Sequence, residues 1–271
     1  MTWYPAPGKL NLFLHVLGRR ADGYHELQTA FRLIDRCDRV GVRLREDGVV
    51  QFRGVFAEEN LCLRAARLLK ARVSSPLGAD IELEKHLPIG GGLGGGSSDA
   101  ATVLLVLNRL WKARLALGTL MEIGLRLGAD VPFFISGRNA LGEGVGERLV
   151  PLDLPHAWYL VLAPQVTVST RETFDGALTR DTKRLKIPPF FPGQGQNDLE
   201  AVVTARYPEV AAQLAWLKQR CPQARMTGSG ACVFAEFETR AQADEVQSQL
   251  PGGMSGFVAR GLERHPLLDW V

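Results

Sequence analysis

The stretch from Pro88 to Ser98 constrains this chain more than any other. It reads Pro-Ile-Gly-Gly-Gly-Leu-Gly-Gly-Gly-Ser-Ser and holds six of the 29 glycines. Glycine inside regular structure is roughly 0.5–1 kcal/mol less favourable than alanine, so an ordinary turn needs one or two. An apolar-alternating run, Ala79 to Leu87, comes before it, and a long amphipathic run, Asp99 to Trp111, comes after it. A flexible glycine/serine linker has no reason to sit between two strongly patterned elements. Strand, glycine loop and helix together make an anion cradle. The glycines let the backbone turn its N–H groups inward, and the helix N-terminus adds partial positive charge. In that helix Ala100, Val103, Leu104, Leu107 and Trp111 share one face, which therefore packs inward.

Three kinds of phosphate loop share this richness in glycine. A Walker A loop needs Gly-x-x-x-x-Gly-Lys-[Ser/Thr], but Gly91 to Ser98 carries Ser97 where the lysine belongs. A dinucleotide fingerprint is present as Gly90-x-Gly92-x-x-Gly95, which any glycine tract contains. The acidic residue expected about 20 positions further on is missing, since Arg109 to Thr119 has none. The third candidate is the loop as it stands.

The rest of the chain bounds the setting. Its 271 residues are 46% hydrophobic and 23% charged, which predicts a sizeable core and two domains. The pattern restarts near Val150, so the expected division is 1–150 and 151–271. A net charge of +3 without any long basic block gives no case for nucleic acid or a membrane surface. The four cysteines and five histidines form neither Cys-x-x-Cys nor His-Glu-x-x-His. That pattern predicts no metal centre, with reduced thiols in a cytoplasmic protein. Met1 to Pro5 has no basic region leading into an apolar segment, so no signal peptide is expected. No apolar run approaches the roughly 20 residues that span a bilayer. Without a coiled-coil heptad or an exposed apolar helix face, the expectation is a monomer or weak dimer.

Candidate site residues are scattered. Lys9 to Val16 alternates and reads as a half-buried strand with Lys9 and Asn11 on one side; a solvated strand-end lysine is the ordinary reading of Lys9. Ala21-Asp22-Gly23 signals a turn before Tyr24 and His25. That pair suits either packing or a binding edge. Val40–Leu44 and Val49–Phe52 read as a strand pair around Glu46-Asp47-Gly48. Asn60 sits where it would cap a helix running to Arg72. Lys85 lies near the glycine loop, solvated or facing a ligand. Asp130 precedes Val131-Pro132 as a helix cap. Ser169/Thr170 open a short helix, a loop runs from Asp181 to Gln196, and Thr227-Gly228-Ser229-Gly230 leads into an apolar strand.

The glycine loop resembles the signature of the galactokinase, homoserine kinase, mevalonate kinase and phosphomevalonate kinase superfamily. Four more stretches sharpen the resemblance: Ala6-Pro7-Gly8-Lys9-Leu10-Asn11-Leu12, Arg20 to Leu27 with its Asp-Gly-Tyr-His, Gly128-Ala129-Asp130-Val131-Pro132-Phe133-Phe134, and Thr227 to Ala231. Together they resemble the branch whose acceptor is a cytidine-diphosphate-linked methylerythritol, in the non-mevalonate isoprenoid route. The resemblance implies an α+β, two-domain small-molecule kinase fold. Its N-terminal ATP-binding domain would carry a left-handed strand–helix–strand crossover, and its C-terminal domain would be an α/β sandwich.

It also implies roles. Lys9 and Asp130 match the catalytic pair. Pro88, Ile89, Gly90, Gly91, Gly92, Leu93, Gly94, Gly95, Gly96, Ser97 and Ser98, with Asn60 and Lys85, would hold ATP, accompanied by Mg2+. Tyr24 and His25 would take the cytosine, and Asn11 and Thr170 the methylerythritol and its phosphates. A second aromatic is expected just before an Asn-Asp pair. Here Gln194-Gly195-Gln196 precede Asn197-Asp198, which leaves Phe190 or Phe191 to supply the ring. A homoserine or phosphomevalonate kinase is the alternative within the superfamily, and a dinucleotide-dependent oxidoreductase the alternative outside it.

Overall fold

The computed structural model describes residues 1–54, 60–176, 184–185 and 193–270. Phe190 and Phe191 lie outside the described residues, as does most of the expected 181–196 loop.

The long strand β2 (His25–Arg45) is the hub of the first sheet. One edge carries β1 (Thr2–Arg19) antiparallel along most of its length. The opposite edge is shared: β4 (Gly78–Glu84) lies along Arg39–Arg45, and β5 (Ala140–Gly144) lies along Leu27–Phe31. β6 (Arg148–Pro151) pairs with β5, and β3 (Val50–Phe52) closes the far edge in parallel with β4.

That last pairing corrects the sequence reading. Val40–Leu44 and Val49–Phe52 do not pair with each other, because β4 lies between them. Helix α1 (Leu61–Arg72) carries the chain off and back, and β4, with Ala79 and Ile81 fully buried, takes the inner place. Three-residue β3 is left at the edge.

Helices α1, α2 (Gly95–Leu110), α3 (Leu117–Leu125) and α4 (Val131–Ser136) pack with the sheet around one core. Leu33, Val40, Ile81, Leu69, Leu104 and Phe133 meet there. Sequence spacing puts one face of α2 inward. In fact every residue from Ser98 to Asn108 is buried, since α1, α3, α4 and β1 surround the helix. A helix so enclosed is a rigid base for the loop at its start.

The second half folds on a four-stranded antiparallel sheet in the order β10 (Gly256–Arg260), β7 (Trp158–Leu162), β9 (Val233–Phe237), β8 (Arg225–Met226). Helices α5 (Thr170–Gly176), α6 (Glu200–Arg206), α7 (Pro208–Arg220) and α8 (Arg240–Ser248) accompany it. Pro208 divides α6 from α7, as its ring and missing N–H require. Thr239 and Gln242 form a capping box on α8.

β1 is not half-buried as its alternation predicts. Lys9 to Val16 are buried on both sides. The second half of the molecule meets both faces: Leu10, Leu12 and Ile34 share a cluster with Tyr159, Val161 and Phe234, and on the Lys9 side the Asn11 N–H donates to Thr227 Oγ1. Bulges at Pro7/Lys9, Asn11/Phe13 and Val16/Gly18 also break the strict alternation. After β10 the chain returns to the first half. Asn139 accepts the Leu33 N–H at 2.9 Å and donates to the Leu262 carbonyl at 2.8 Å, and the Trp270 ring meets Tyr4 edge-on. His265 in this tail is buried, and burial pulls its pKa down to about 4. All four cysteines are free thiols, and burial pushes Cys232 up to about 12. No described helix is long and apolar enough to cross a membrane.

Candidate active site

A cleft of about 650 Å³ opens between the two halves. The glycine loop from Pro88 to Ser97 lines it, together with Lys9, Asn11, Asn60, Lys85, Asp130 and Thr170. Residues more than 150 positions apart thus share one space.

The loop's shape needs its glycines at two points above all. Gly92 has φ +77°, and a Cβ there would fall 2.3 Å from the Thr227 carbonyl oxygen. Gly94 has φ +69°, and a Cβ there would fall 2.9 Å from the Phe134 ring and 3.1 Å from Lys9 Cε. Gly94 is also the N-cap of α2. The opening turn of that helix, Gly95 to Ser97, therefore presents N–H groups that have no helical acceptor. The second half clamps the loop: Ala231 and Cys232 donate their N–H groups to the carbonyls of Gly90 and Gly91 at 3.2 and 3.1 Å. Gly228, Ser229 and Gly230 complete that wall, and the Thr170 and Ser229 hydroxyls are 2.8 Å apart.

Lys9 is buried, not solvated. Its ammonium donates to Asn11 Oδ1 and to the Gly92 carbonyl, and lies 3.4 Å from Asp130 Oδ2. The Phe31 ring faces it, with the centroid at 5.7 Å. Asp130 holds the N-cap position of α4, yet its side chain makes no capping hydrogen bond and turns to Lys9 instead. That carboxylate remains 31% exposed, open to the cleft. Asn11 is fixed from both ends: its backbone N–H donates to Thr227 Oγ1 at 2.9 Å, and its Nδ2 donates to Thr29 Oγ1 at 2.8 Å.

At the other end of the loop, Asn60 caps α1 by accepting the Cys62 N–H at 2.8 Å. It also lines the cleft. Lys85 is ion-paired with Asp38 and with Asp99, the latter at 2.9 Å. Burial works against that ammonium, but Asp99 and Asp38 raise its pKa nonetheless. Burial also raises the Asp99 carboxyl to about 7; Lys85 opposes the shift and Asp38 adds to it.

Not every expected residue reaches the cleft wall. Ser98 is fully buried in α2, and its Oγ has no hydrogen-bond partner among the described residues; Ser97 alone of the pair lines the cleft. Tyr24 and His25 stand outside the wall, beyond Leu27 and Thr29. Tyr24 is 66% exposed after the expected turn. The His25 ring, however, meets Phe174, whose centroid is 5.3 Å away and which does line the cleft. Phe174 is the residue that sequence reasoning missed. The available signal was its place four residues after Thr170, one helical turn on the same face of α5. The position just before Asn197-Asp198 is held by Gln196, whose amide donates to Asp198 Oδ1 at 2.8 Å. At the preceding Gly195 φ is +80°, and a Cβ would fall 2.7 Å from Phe13 Cβ. Asp38 was also missed, because nothing in its local sequence joins it to Lys85. No cluster of three or more metal-ligating side chains occurs among the described residues.

Comparisons with known proteins agree in one direction. The family profile "GHMP kinases N terminal domain" matches residues 60–138, and "GHMP kinases C terminal" matches 191–255. The chain is 57% identical to the 4-diphosphocytidyl-2-C-methyl-D-erythritol kinase of Nitrosospira multiformis, over 98% of this chain and 93% of that one. To the protein of the same name from Nitrosomonas europaea it is 54% identical over the whole of both chains. A crystal structure of 4-(cytidine 5'-diphospho)-2C-methyl-D-erythritol kinase superposes with a TM-score of 0.85 at 35% identity, covering 96% of this chain and 99% of that one. Homoserine kinase from Cytophaga hutchinsonii shares the fold, with a TM-score of 0.69 at 16% identity and 95% of each chain covered.

Proposed function

The chain belongs to the 4-diphosphocytidyl-2-C-methyl-D-erythritol kinases of the GHMP kinase family, ATP-dependent small-molecule kinases of isoprenoid biosynthesis, and we propose the following division of labour in its cleft. Asp130 accepts the proton of the acceptor's 2-hydroxyl as that oxygen attacks the γ-phosphorus of ATP. The attacking O–P bond forms, the bond to the β-phosphate oxygen breaks, and ADP leaves. The observation that carries this is the Lys9–Asp130 pair at 3.4 Å, with Asp130 still open to the cleft.

Lys9 faces that carboxylate and offsets charge on the transferred phosphoryl group. Asn11 holds the ammonium in place from its other side. The N–H groups of Gly95 to Ser97 and the preceding glycine backbone receive the ATP phosphates, while Asn60 and Lys85 flank the nucleoside end. Mg2+ bound with the nucleotide would neutralise phosphate charge. With no cluster of metal-ligating side chains among the described residues, the phosphates, water and the Ser97 hydroxyl would hold it.

Phe174, His25 and Tyr24 form the cytosine end. Phe174 takes the part that sequence reasoning gave to Phe190 or Phe191. Thr170, one turn before Phe174, lies toward the substrate's phosphates. The halves 1–150 and 151–271 then divide the work: the first supplies the phosphate loop and the catalytic pair, and the second closes the cleft with α5 and the 227–232 turn. Free thiols and a small-molecule acceptor fit a cytoplasmic enzyme acting as monomer or weak dimer.

The test is turnover. Protein supplied with Mg-ATP and the cytidylyl substrate yields ADP and the 2-phosphate in equal amounts. Asp130→Ala lowers kcat by at least ~10²-fold while ATP still binds; undiminished turnover in that variant removes Asp130 from the chemistry.

A further inference from the structure

Asp38 lies on β2, opposite Ala6 of β1, and is fully buried. A buried carboxylate needs donors for both oxygens. Its donors come from three consecutive residues. Oδ1 accepts the N–H of His86 at 2.6 Å and of Leu87 at 2.8 Å, and Oδ2 accepts the Lys85 ammonium. These residues are the link between β4, which ends at Glu84, and the glycine loop. Among the described residues no strand pairing serves those two N–H groups, so Asp38 holds the backbone as it enters the loop.

The same carboxylate fixes where Lys85 points. The ammonium lies between Asp38 and Asp99, 3.0 Å from where a Cβ on Gly95 would stand. It is thus tucked under the first residue of α2, at the mouth of the anion site. Asp99 is a poorer anchor. Its Oδ1 is buried with no hydrogen-bond partner among the described residues, whereas both oxygens of Asp38 are satisfied.

We propose that Asp38 is a positioning residue for the phosphate donor: it sets the Lys85 ammonium and the loop entry together, and so governs ATP binding without touching ATP. This rests on the reading that Lys85 faces ATP. The proposal is selective, because the hydrogen bonds of Asp38 among the described residues go to Lys85, His86 and Leu87 and not to the Lys9–Asp130 pair.

Asp38→Asn is the sharp variant. The amide oxygen can keep both backbone N–H groups, but its NH₂ then confronts the Lys85 ammonium, donor against donor. The expected result is a rise of about tenfold in the KM for ATP, the scale of one charge-assisted hydrogen bond. The kcat and the KM for the cytidylyl acceptor stay unchanged. Lys85→Met gives a similar rise, and the double variant is no worse than either alone, because both act through one ammonium. If Lys85→Met raises the KM for ATP and Asp38→Asn does not, the proposal fails while the reading of Lys85 stands. If Lys85→Met leaves it unchanged, both fail. If Asp38→Asn raises both KM values and lowers Tm together, Asp38 is only structural and the proposal fails. Should Asp38→Asn not accumulate folded, Asp99→Asn carries the test. With Asp38 intact the KM for ATP is expected to hold; a rise equal to that of Lys85→Met assigns the positioning to Asp99 and overturns the proposal.

Discussion

The two ends of the cleft are made of different material. The end proposed for the ATP phosphates is backbone: glycine N–H groups, a helix N-terminus, and carbonyls of Gly90 and Gly91 that the 231–232 N–H groups hold in place. Its shape depends on a few close approaches that only glycine permits. The end proposed for the acceptor is side chains, Phe174 and Thr170 on the wall with His25 and Tyr24 beyond it, and Tyr24 stands 66% exposed. Phosphate is the same in every nucleotide, so a rigid backbone mould suits it. The acceptor has to be told from other small alcohols, and that takes rings and hydrogen-bonding edges. A change at the first end should therefore damage nucleotide binding and stability together, and a change at the second should damage acceptor binding alone.

The largest contrast is expected from Gly92→Ala. The positive φ and the 2.3 Å approach to the Thr227 carbonyl leave no place for the methyl group. Strain of this kind is worth about 1–3 kcal/mol, so the KM for ATP should rise by up to roughly 10²-fold, with a lower Tm in a thermal melt. An unchanged melt and an unchanged KM would mean that the loop is a pliable strap and not a mould. Phe174→Ala should act at the other end. Loss of one stacked ring raises the KM for the acceptor by roughly tenfold and leaves the KM for ATP alone. Equal effects on both substrates would erase the distinction between the ends.

How much of this was legible in the sequence follows the same division. The mould was plain, because glycine at that density has few uses and strongly patterned neighbours frame it. Lys9 and Asp130 became legible only through the resemblance. Alone, one reads as a strand-end lysine and the other as a helix cap, and it took the fold to bring them within 3.4 Å. Phe174 was hidden because one aromatic on a short helix looks like packing. Asp38 was hidden because its partners are 47 to 49 positions away. The β3–β4 pairing escaped because a three-residue strand carries too little pattern to choose its neighbour. The burial of β1 escaped because period-two alternation cannot show that the second half of the chain packs against the strand from both sides.

One further effect belongs to neither end and serves as their control. His265 is buried in the returning tail, with its folded pKa lowered to about 4 from an ordinary 6.5. Its contribution is present above the unfolded value and is lost as pH falls from about 6.5 toward 4, because the unfolded chain takes up a proton that the folded chain refuses. The loss is at most about 3 kcal/mol. Urea titrations across that range should show it, and His265→Gln should flatten it while both KM values at pH 7.5 stay as they were. A shifted KM would tie the tail to the cleft.

The central claim is that Lys9 and Asp130 act as one unit on the transferred phosphoryl group. A double-mutant cycle with Lys9→Met and Asp130→Asn, read by single-turnover ADP formation at saturating substrates, tests it most directly. Each single variant is expected to lose on the order of 10²–10⁴ in rate, and the double variant to lose no more than the worse of the two. Losses that multiply, or a single variant that turns over like the parent, would contradict the pairing.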